Sequence, residues 1–374
     1  MAYRRLLLAS IVVVGLFGSA VISPSSPDRD GTPSSNQLVV PDEKTTALWP
    51  YTSRSPFVND RTLALNVIIY GQPDRIKRAF LQRSDANWTT VDGDAAVGES
   101  DWQSARGATR YTYIRTADGD GRWIRSAYQL GTGTYLGSRV HVRAYPAPSG
   151  NWTALQAHTE YWDWFRLRHT VTGARSGSRF VERDLREEPF VEGVSREYHG
   201  LNGGNSDGWL TVIEFWSAPA ALVAGIGLPL ASRRRQDLLD AVLPISLATL
   251  VVGVRGAGIA AEQAFPAFSP KLFAAVLYPL LLTGPLALSF TFARDRPATR
   301  SALLAVCGLG TGVVVDMGSV GVNTVPISLA LHRVALVSTL ALFTLGVARG
   351  DRRTMGVGIA AWLAVLAAPL LGVV

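Results

Sequence analysis

The chain has 374 residues, of which 48% are hydrophobic, and a formal net charge of +7. Residues 23–208 contain 22 of the 36 Lys and Arg residues and 22 of the 29 Asp and Glu residues, so this segment is neutral and the rest of the chain carries the whole excess. Because the excess arginines lie beside apolar stretches, they indicate membrane topology and disfavour nucleic acid as a partner. The single cysteine, Cys307, lies in an apolar segment, which excludes disulfides from residues 23–208.

The first 60 residues are predicted to begin with a membrane anchor or a signal peptide and to continue as a linker. Leu6 to Ile22 is apolar and follows Arg4 and Arg5, so residues 1–22 are either a retained anchor or a cleaved signal. Residues 23–60 are rich in Ser, Pro and Asp at their beginning and predict a flexible stalk outside the membrane.

Residues 61–208 predict a folded extracytoplasmic α+β domain with a mainly antiparallel sheet. The apolar run Leu63 to Tyr70 predicts a buried strand, and Pro73 to Arg83 predicts an amphipathic helix with proline at its start. Ser138 to Tyr145 alternates apolar and polar residues, which is typical of a strand, and Phe180 to Glu188 predicts a short charged helix. Asn87 and Asn151 begin N-x-T sequons, so both are candidates for glycosylation.

Residues 209–374 predict an all-α bundle of six transmembrane helices. The apolar segments that define these helices are 209–231, 238–254, 271–293, 301–320, 325–348 and 355–374. Arginines cluster at every second connection, near residues 4, 234, 296 and 352, which is the positive-inside pattern. The predicted topology therefore has the N-terminus inside, residues 23–208 outside and the C-terminus outside, in a cell membrane.

The domain carries four of the five histidines, and they predict its candidate chemistry. His141, His158, His169 and His199 lie near Glu160 and other carboxylates, and histidine with carboxylate can form a zinc site or an acid–base pair. The spacing matches no named metal motif, so no metal or other cofactor is predicted. Surface histidines with structural ion pairs are the alternative.

Five ionisable residues fall within the predicted outer halves of the spans: Glu214, Arg255, Asp316, His332 and Arg333. Ionisable groups at membrane depth are costly and mark functional positions unless they form ion pairs. We expect Asp316 or Glu214 to pair with Arg255 or Arg333. The alternatives are a structural ion pair and an outward-facing polar cavity for a lipid headgroup, an ion or a peptide terminus.

A family likeness is carried by the outer domain. The likeness rests on LALNVIIYGQPDRIKRAF, Trp88, SRVHVRAY, Trp152-Thr153-Ala154, His169 and VERDL. With these features, residues 61–188 resemble the LssY C-terminal-type domain. The whole arrangement resembles multi-span membrane proteins of haloarchaeal type. Relatives of the LssY-type domain are fused to membrane lipid-phosphatase-like modules, and the resemblance marks His141, Arg143 and His169.

Two functions remain open from the sequence. The first is a cell-envelope protein whose outer domain binds or scaffolds, with the bilayer and another envelope protein or a lipid headgroup as partners. The second is an envelope enzyme that acts on a lipid-linked or glycan substrate at the outer membrane face, with His141, Arg143, His158 and His169 as catalytic candidates.

Overall fold

A computed structural model describes residues 31–41, 46–91, 109–116, 118–188, 190–200, 203–204, 206–215, 236–294, 296–322 and 325–371. The predicted anchor or signal at residues 1–22 lies outside this range, as do most of the residues of the first predicted span of the bundle.

The domain is built on two β-sheets. In chain order the strands are β1 (Ala47–Leu48), β2 (Tyr51–Ser53), β3 (Arg61–Ala64), β4 (Val67–Tyr70), β5 (Thr89–Thr90), β6 (Tyr111–Arg115), β7 (Gly121–Arg125), β8 (Tyr128–Gly133), β9 (Ser138–Pro146), β10 (Trp152–Asp163), β11 (Arg168–Gly173), β12 (Val191–Tyr198) and β13 (Trp209–Phe215). The smaller sheet runs β1-β6-β2-β3, with β7 added to β6, and the larger sheet runs β12-β13-β4-β10-β9-β8-β5, with β11 added to β10. Every pair is antiparallel except β13 with β4, so the predicted α+β class with a mainly antiparallel sheet is confirmed.

Two helices cover one face of the larger sheet. They are α1 (Pro73–Gln82), as predicted from its proline start, and α2 (Ala174–Arg186), which begins six residues earlier than predicted. Ile76 and Phe80 of α1 and Val181 of α2 pack with Val142 of β9 in one buried cluster. The apolar side of the alternating β9 pattern thus faces the helices.

The predicted boundaries of the domain are wrong at both ends. The predicted stalk, residues 23–60, contains β1 and β2, whose neighbour Trp49 is 1% exposed and packs in an aromatic cluster with Tyr113. At the other end, Trp209–Phe215 is strand β13 and not the start of a span. An apolar strand buried between two neighbours resembles a membrane segment in sequence, because both are continuous apolar runs.

Five helices follow in the described part of the chain: α3 (Gln236–Ala264), α4 (Pro270–Ala293), α5 (Ala298–Ser319), α6 (Ile327–Arg349) and α7 (Arg352–Ala367). Four of the described helices are long and apolar enough to cross a membrane: Ala241–Ala264, Pro270–Ala293, Ala298–Ser319 and Ile327–Arg349. These four candidate spans support a membrane protein. The predicted last span is represented by α7, which has 16 residues and is not among the four.

The helices pack closely where glycines face a neighbouring backbone. A Cβ on Gly308 of α5 would lie 2.4 Å from the Cα of Pro244 in α3, and one on Gly312 would lie 2.9 Å from the Cα of Ala248. Gly308 and Gly312, four residues apart in the sequence, therefore join α5 to α3, and small residues at this spacing are typical of helix association in a membrane.

Candidate functional site

A row of polar side chains crosses the larger sheet on the face opposite α1 and α2. The register pairs Arg143 of β9 with Gln156 of β10, His141 with His158, and Arg139 with Glu160. Alternation places all six on one face, because the residues between them face the helices. We call these six residues the polar row.

Apolar contacts bracket the polar row at both ends. Beyond Arg143 on the same face, Tyr145 packs with Leu48 and Ile114 of the smaller sheet. Beyond Glu160, Trp162 packs in the cluster that contains the buried residues of the helix bundle. The polar row therefore lies between the smaller sheet and the helix bundle.

Glu160 is the hydrogen-bonding centre of the polar row. Its Oε1 accepts a hydrogen bond from Nε of Arg139 at 2.7 Å, and its Oε2 lies 3.1 Å from Nε2 of His158. Nδ1 of His141 is 3.8 Å from Oε1 of Glu160, and the two histidine rings are 5.1 Å apart between centroids. The predicted histidine–carboxylate cluster is thus formed, with His141 and His158 each 1% exposed and Glu160 5% exposed.

Burial determines the protonation of these groups. Desolvation lowers the pKa of His141 well below 6.5, and the charge of Arg143 lowers it further. Desolvation also lowers the pKa of His158, against its hydrogen bond to Glu160. Burial alone would raise the pKa of the Glu160 carboxyl, but the His141 ring, the Arg139 guanidinium and the hydrogen bond from His158 hold that pKa well below its usual value. Burial thus favours the neutral form of both imidazoles, whereas Arg139 and His158 favour the carboxylate form of Glu160.

The other two candidates flank this cluster. Arg143 donates from Nη1 to Oε1 of Gln156 at 3.1 Å, and its burial lowers its pKa. His169 of β11 donates from Nε2 to the carbonyl oxygen of Tyr135 at 2.9 Å, and burial lowers its pKa to about 4. Its ring lies edge-on to Tyr135 and to Trp162. His169 thus stands between the polar row and the bundle, whereas His199 pairs with Glu197 on β12, away from both.

One arginine of the bundle joins the spans to the domain. Arg255 of α3 is 3% exposed and donates from Nε and Nη2 to the two carboxylate oxygens of Asp316 in α5, at 2.7 and 2.8 Å. Its Nη1 donates to the backbone carbonyl oxygens of Leu136 and Trp162 in the domain, at 2.6 and 2.7 Å. The predicted pairing of Arg255 with Asp316 is present, and the same guanidinium also holds two segments of the domain.

The loop between β8 and β9 is the second contact of this junction. Oε1 and Oε2 of Glu262 on α3 accept hydrogen bonds from the backbone N–H groups of Tyr135 and Leu136, at 2.7 and 2.9 Å. A Cβ on Gly137 would lie 3.1 Å from Cδ1 of Ile259 on the same helix. The carboxylate and Arg255 together provide hydrogen-bond partners for the N–H groups of Tyr135 and Leu136 and for the carbonyl of Leu136.

A second arginine makes the third contact. Nη2 of Arg333 on α6 donates to Oδ1 of Asp163 at the end of β10, and its guanidinium lies over the ring of Phe165 at 4.8 Å. Its neighbour His332 points to α7, where Nε2 donates to the carbonyl oxygen of Val365 at 3.1 Å. Consecutive helical residues diverge by about 100°, which accounts for the two directions.

Glu214 does not belong to this junction, and its predicted position within a span is wrong. It lies on β13, where it is exposed and pairs in register with Gly193 of β12 and Tyr70 of β4. Arg255, Asp316, His332 and Arg333 remain as buried polar residues of the bundle. The two sequon asparagines, Asn87 and Asn151, are both exposed, and their glycosylation stays a prediction.

Sequence reasoning missed two residues that the site depends on. Arg139, which anchors Glu160, is one of several arginines in the domain, and only the strand register reveals its partner. Glu262 binds backbone N–H groups, a role that leaves no pattern in a sequence. The glycine-rich run from Gly131 to Gly137 has no nucleotide-binding context, and its last glycine, Gly137, lies close to Ile259 of α3.

No protein-family model, curated protein or solved structure matches this chain.

Proposed function

We propose that this protein is a cell-envelope membrane protein whose α+β domain lies outside the membrane and works as a binding or scaffolding domain at a fixed position above the bundle. The observation that carries the proposal is the fourfold hydrogen bonding of Arg255, which ties Asp316 in the bundle to two carbonyl groups of the domain. A domain that only needed an anchor would require no buried charged contact with its spans.

The side of the membrane is supported by the arginines. Arg294, Arg296 and Arg300 lie around the connection between α4 and α5, and Arg349, Arg352 and Arg353 lie around that between α6 and α7. The domain contacts the bundle at its other end, through Glu262 near the end of α3 and Arg333 near the start of α6. Arginine-rich connections are typical of the cytoplasmic side, which supports an outer position for the domain.

The likeness to the LssY C-terminal-type domain fits a binding role. The residues that the likeness marks are His141 and Arg143, both in the polar row, and His169, which stands beside it. Both ring nitrogens of His141 are buried and have no hydrogen-bond partner. Such groups are rare in folded proteins and often mark a binding position. We take the polar row as the place where the domain binds its ligand.

A second candidate function is an envelope enzyme acting on a lipid-linked or glycan substrate. It is favoured by the convergence of His141, His158 and Glu160, which are the residue types of acid–base catalysis. Conversion of such a substrate by the wild-type protein but not by Glu160→Gln would favour the enzyme over the binding domain.

Side-specific labelling tests the proposed topology. In a Cys307→Ser background, Ser149→Cys introduces a thiol in the exposed turn between β9 and β10, and Arg353→Cys introduces one at the exposed start of α7. A membrane-impermeant maleimide should label Ser149→Cys in intact cells and Arg353→Cys only after permeabilisation. Labelling of Arg353→Cys but not Ser149→Cys in intact cells would place the domain inside and contradict the proposal.

A further inference from the structure

We propose that His141, His158 and Glu160 bind a late first-row transition-metal ion, with Zn²⁺ the best fit. Imidazole and carboxylate are the ligand types that such ions take together, and two histidines with one glutamate form a known zinc ligand set. This inference goes beyond the proposed function and does not depend on the side of the membrane on which the domain lies.

The distances fit one tetrahedral ion. Two ligands bound at 2.0–2.1 Å in a tetrahedron lie about 3.3 Å apart. Oε2 of Glu160 is 3.1 Å from Nε2 of His158, and Oε1 of Glu160 is 3.8 Å from Nδ1 of His141. One ligand atom from each of the three residues lies within 4.8 Å of the others. Two of the three separations are close to this value, and the widest is at most 4.8 Å, so side-chain movements of up to about an ångström would bring all three atoms to binding distance.

The ring nitrogens of His141 lack hydrogen-bond partners, and a metal ion could bind one of them. His141 is 1% exposed, and neither of its ring nitrogens has a hydrogen-bond partner. A buried polar group without a hydrogen-bond partner is destabilising, because it has lost its hydrogen bonds to water without replacing them. Coordination of Nδ1 would satisfy the nitrogen that faces Glu160.

The backbone holds the three ligands in a rigid frame. His141 and His158 are directly paired in the β9–β10 register, and Glu160 follows two residues along the same strand face. A Cβ at Gly177 of α2 would lie 2.3 Å from the backbone of His158, so the helix lies directly against this strand. Arg139 binds Oε1 of Glu160, which would orient the carboxylate as second-shell partners of metal ligands do.

Charge limits the affinity of the site and supplies a test. Arg139 and Arg143 contribute two positive charges to the polar row, and Glu160 contributes one negative charge. Arg143 hydrogen bonds to Gln156 and is not paired with Glu160 in the strand register. Its positive charge therefore repels an added divalent cation. Replacing Arg143 by an apolar residue of similar length should strengthen metal binding, while replacing any of the three ligands should weaken it.

The ligand count also defines what else the ion would contact. Among the described residues, the group that could hold a metal has three members. Three protein ligands leave one tetrahedral position for a water molecule or for an oxygen of a bound ligand. An anionic fourth ligand would offset part of the positive charge of the ion and the two guanidinium groups.

Cobalt substitution tests the site in the full-length protein. The protein is purified in detergent, stripped with a chelator and titrated with Co²⁺, whose visible absorption reports tetrahedral coordination. We expect one equivalent to bind with tetrahedral bands that Zn²⁺ abolishes. His141→Asn, His158→Asn and Glu160→Gln should each weaken binding by more than about 100-fold, the upper range for loss of a second-shell partner.

Two controls separate ligand loss from misfolding. His199→Gln removes a histidine that pairs with Glu197 outside the polar row and should bind Co²⁺ like the wild type. Arg143→Met changes the same buried face but keeps all three ligands, and it should bind Co²⁺ at least as tightly as the wild type. The proposal is overturned if the stripped wild-type protein shows no tetrahedral Co²⁺ bands, or if Glu160→Gln retains them at wild-type affinity.

Discussion

The Arg255→Met variant is expected to lose about 3–5 kcal/mol of unfolding free energy, the range for breaking a buried ion pair by removing one partner. Asp316, which is 4% exposed, would be left as an uncompensated buried carboxylate. The carbonyl oxygens of Leu136 and Trp162 would lose their donor at the same time. Reversible unfolding in detergent micelles, followed by circular dichroism, measures the effect.

Two further variants show whether the loss arises at the junction. Arg353→Met removes an exposed arginine at the start of α7 and should unfold like the wild type. Arg255→Met combined with Asp316→Leu removes both charges and should recover much of the loss, because a buried pair can be replaced by apolar residues at little cost. Wild-type stability of Arg255→Met itself would show that the guanidinium does not join the domain to the bundle.

The Gly177→Ala variant is expected to destabilise the domain by about 2–3 kcal/mol, the upper part of the range for overpacking a core. The new Cβ would lie 2.3 Å from both the Cα and the N atom of His158, and backbone atoms cannot turn aside as a side chain can. Helix α2 must therefore move away from β10. Alanine gains about 1 kcal/mol over glycine in helix propensity, which does not offset the clash.

Gly193→Ala is the matched control for this substitution. Gly193 lies on strand β12, and a Cβ built there meets no atom within 4 Å. Its unfolding midpoint should stay within a degree or two of the wild type, while that of Gly177→Ala falls. Equal midpoints for the two variants would show that α2 does not lie against β10 at this glycine.

The helices of the bundle could be predicted from sequence because their signal is local. Apolar runs of membrane length need no knowledge of their neighbours, and the segment predicted at 271–293 is observed as Pro270–Ala293. The spacing of Gly308 and Gly312, four residues apart, is likewise a local pattern, and it favours a close helix contact.

The predicted domain boundary at residue 208 is wrong for a physical reason. Trp209–Phe215 is mostly apolar because it is an inner strand, between β4 and β12, whose two faces pack in different apolar clusters, Leu210 in one and Ile213 in the other. A strand of this kind lacks alternation, so its composition cannot be separated from the start of a span. Glu214 was misplaced with it. The sequence analysis missed strands β1 and β2 for another reason, since two or three residues are too few to show any periodicity.

The candidate site was predicted in its residue types but not in its pairings. The alternation of β9 placed His141 and Arg143 on one face, whereas the contact of His141 with His158 depends on the register between β9 and β10. The contact between Asp163 and Arg333 joins residues 170 positions apart, and no local pattern can indicate it. Long-range partners of this kind follow only from the assembled fold.

Cysteine cross-linking across the junction tests the central claim that the domain is held at a fixed position on the bundle. In a Cys307→Ser background, Gly137→Cys and Ile259→Cys place thiols at two residues in direct contact. Gly137→Cys with Leu303→Cys, at an exposed position near the opposite end of the bundle in α5, is the distant control. A short bismaleimide should link the first pair efficiently, as identified by mass spectrometry of the joined peptides, and leave the second pair unlinked. Adding Arg255→Met should reduce the first cross-link. Equal yields for the two pairs, or no cross-link between positions 137 and 259, would contradict a domain fixed to its spans.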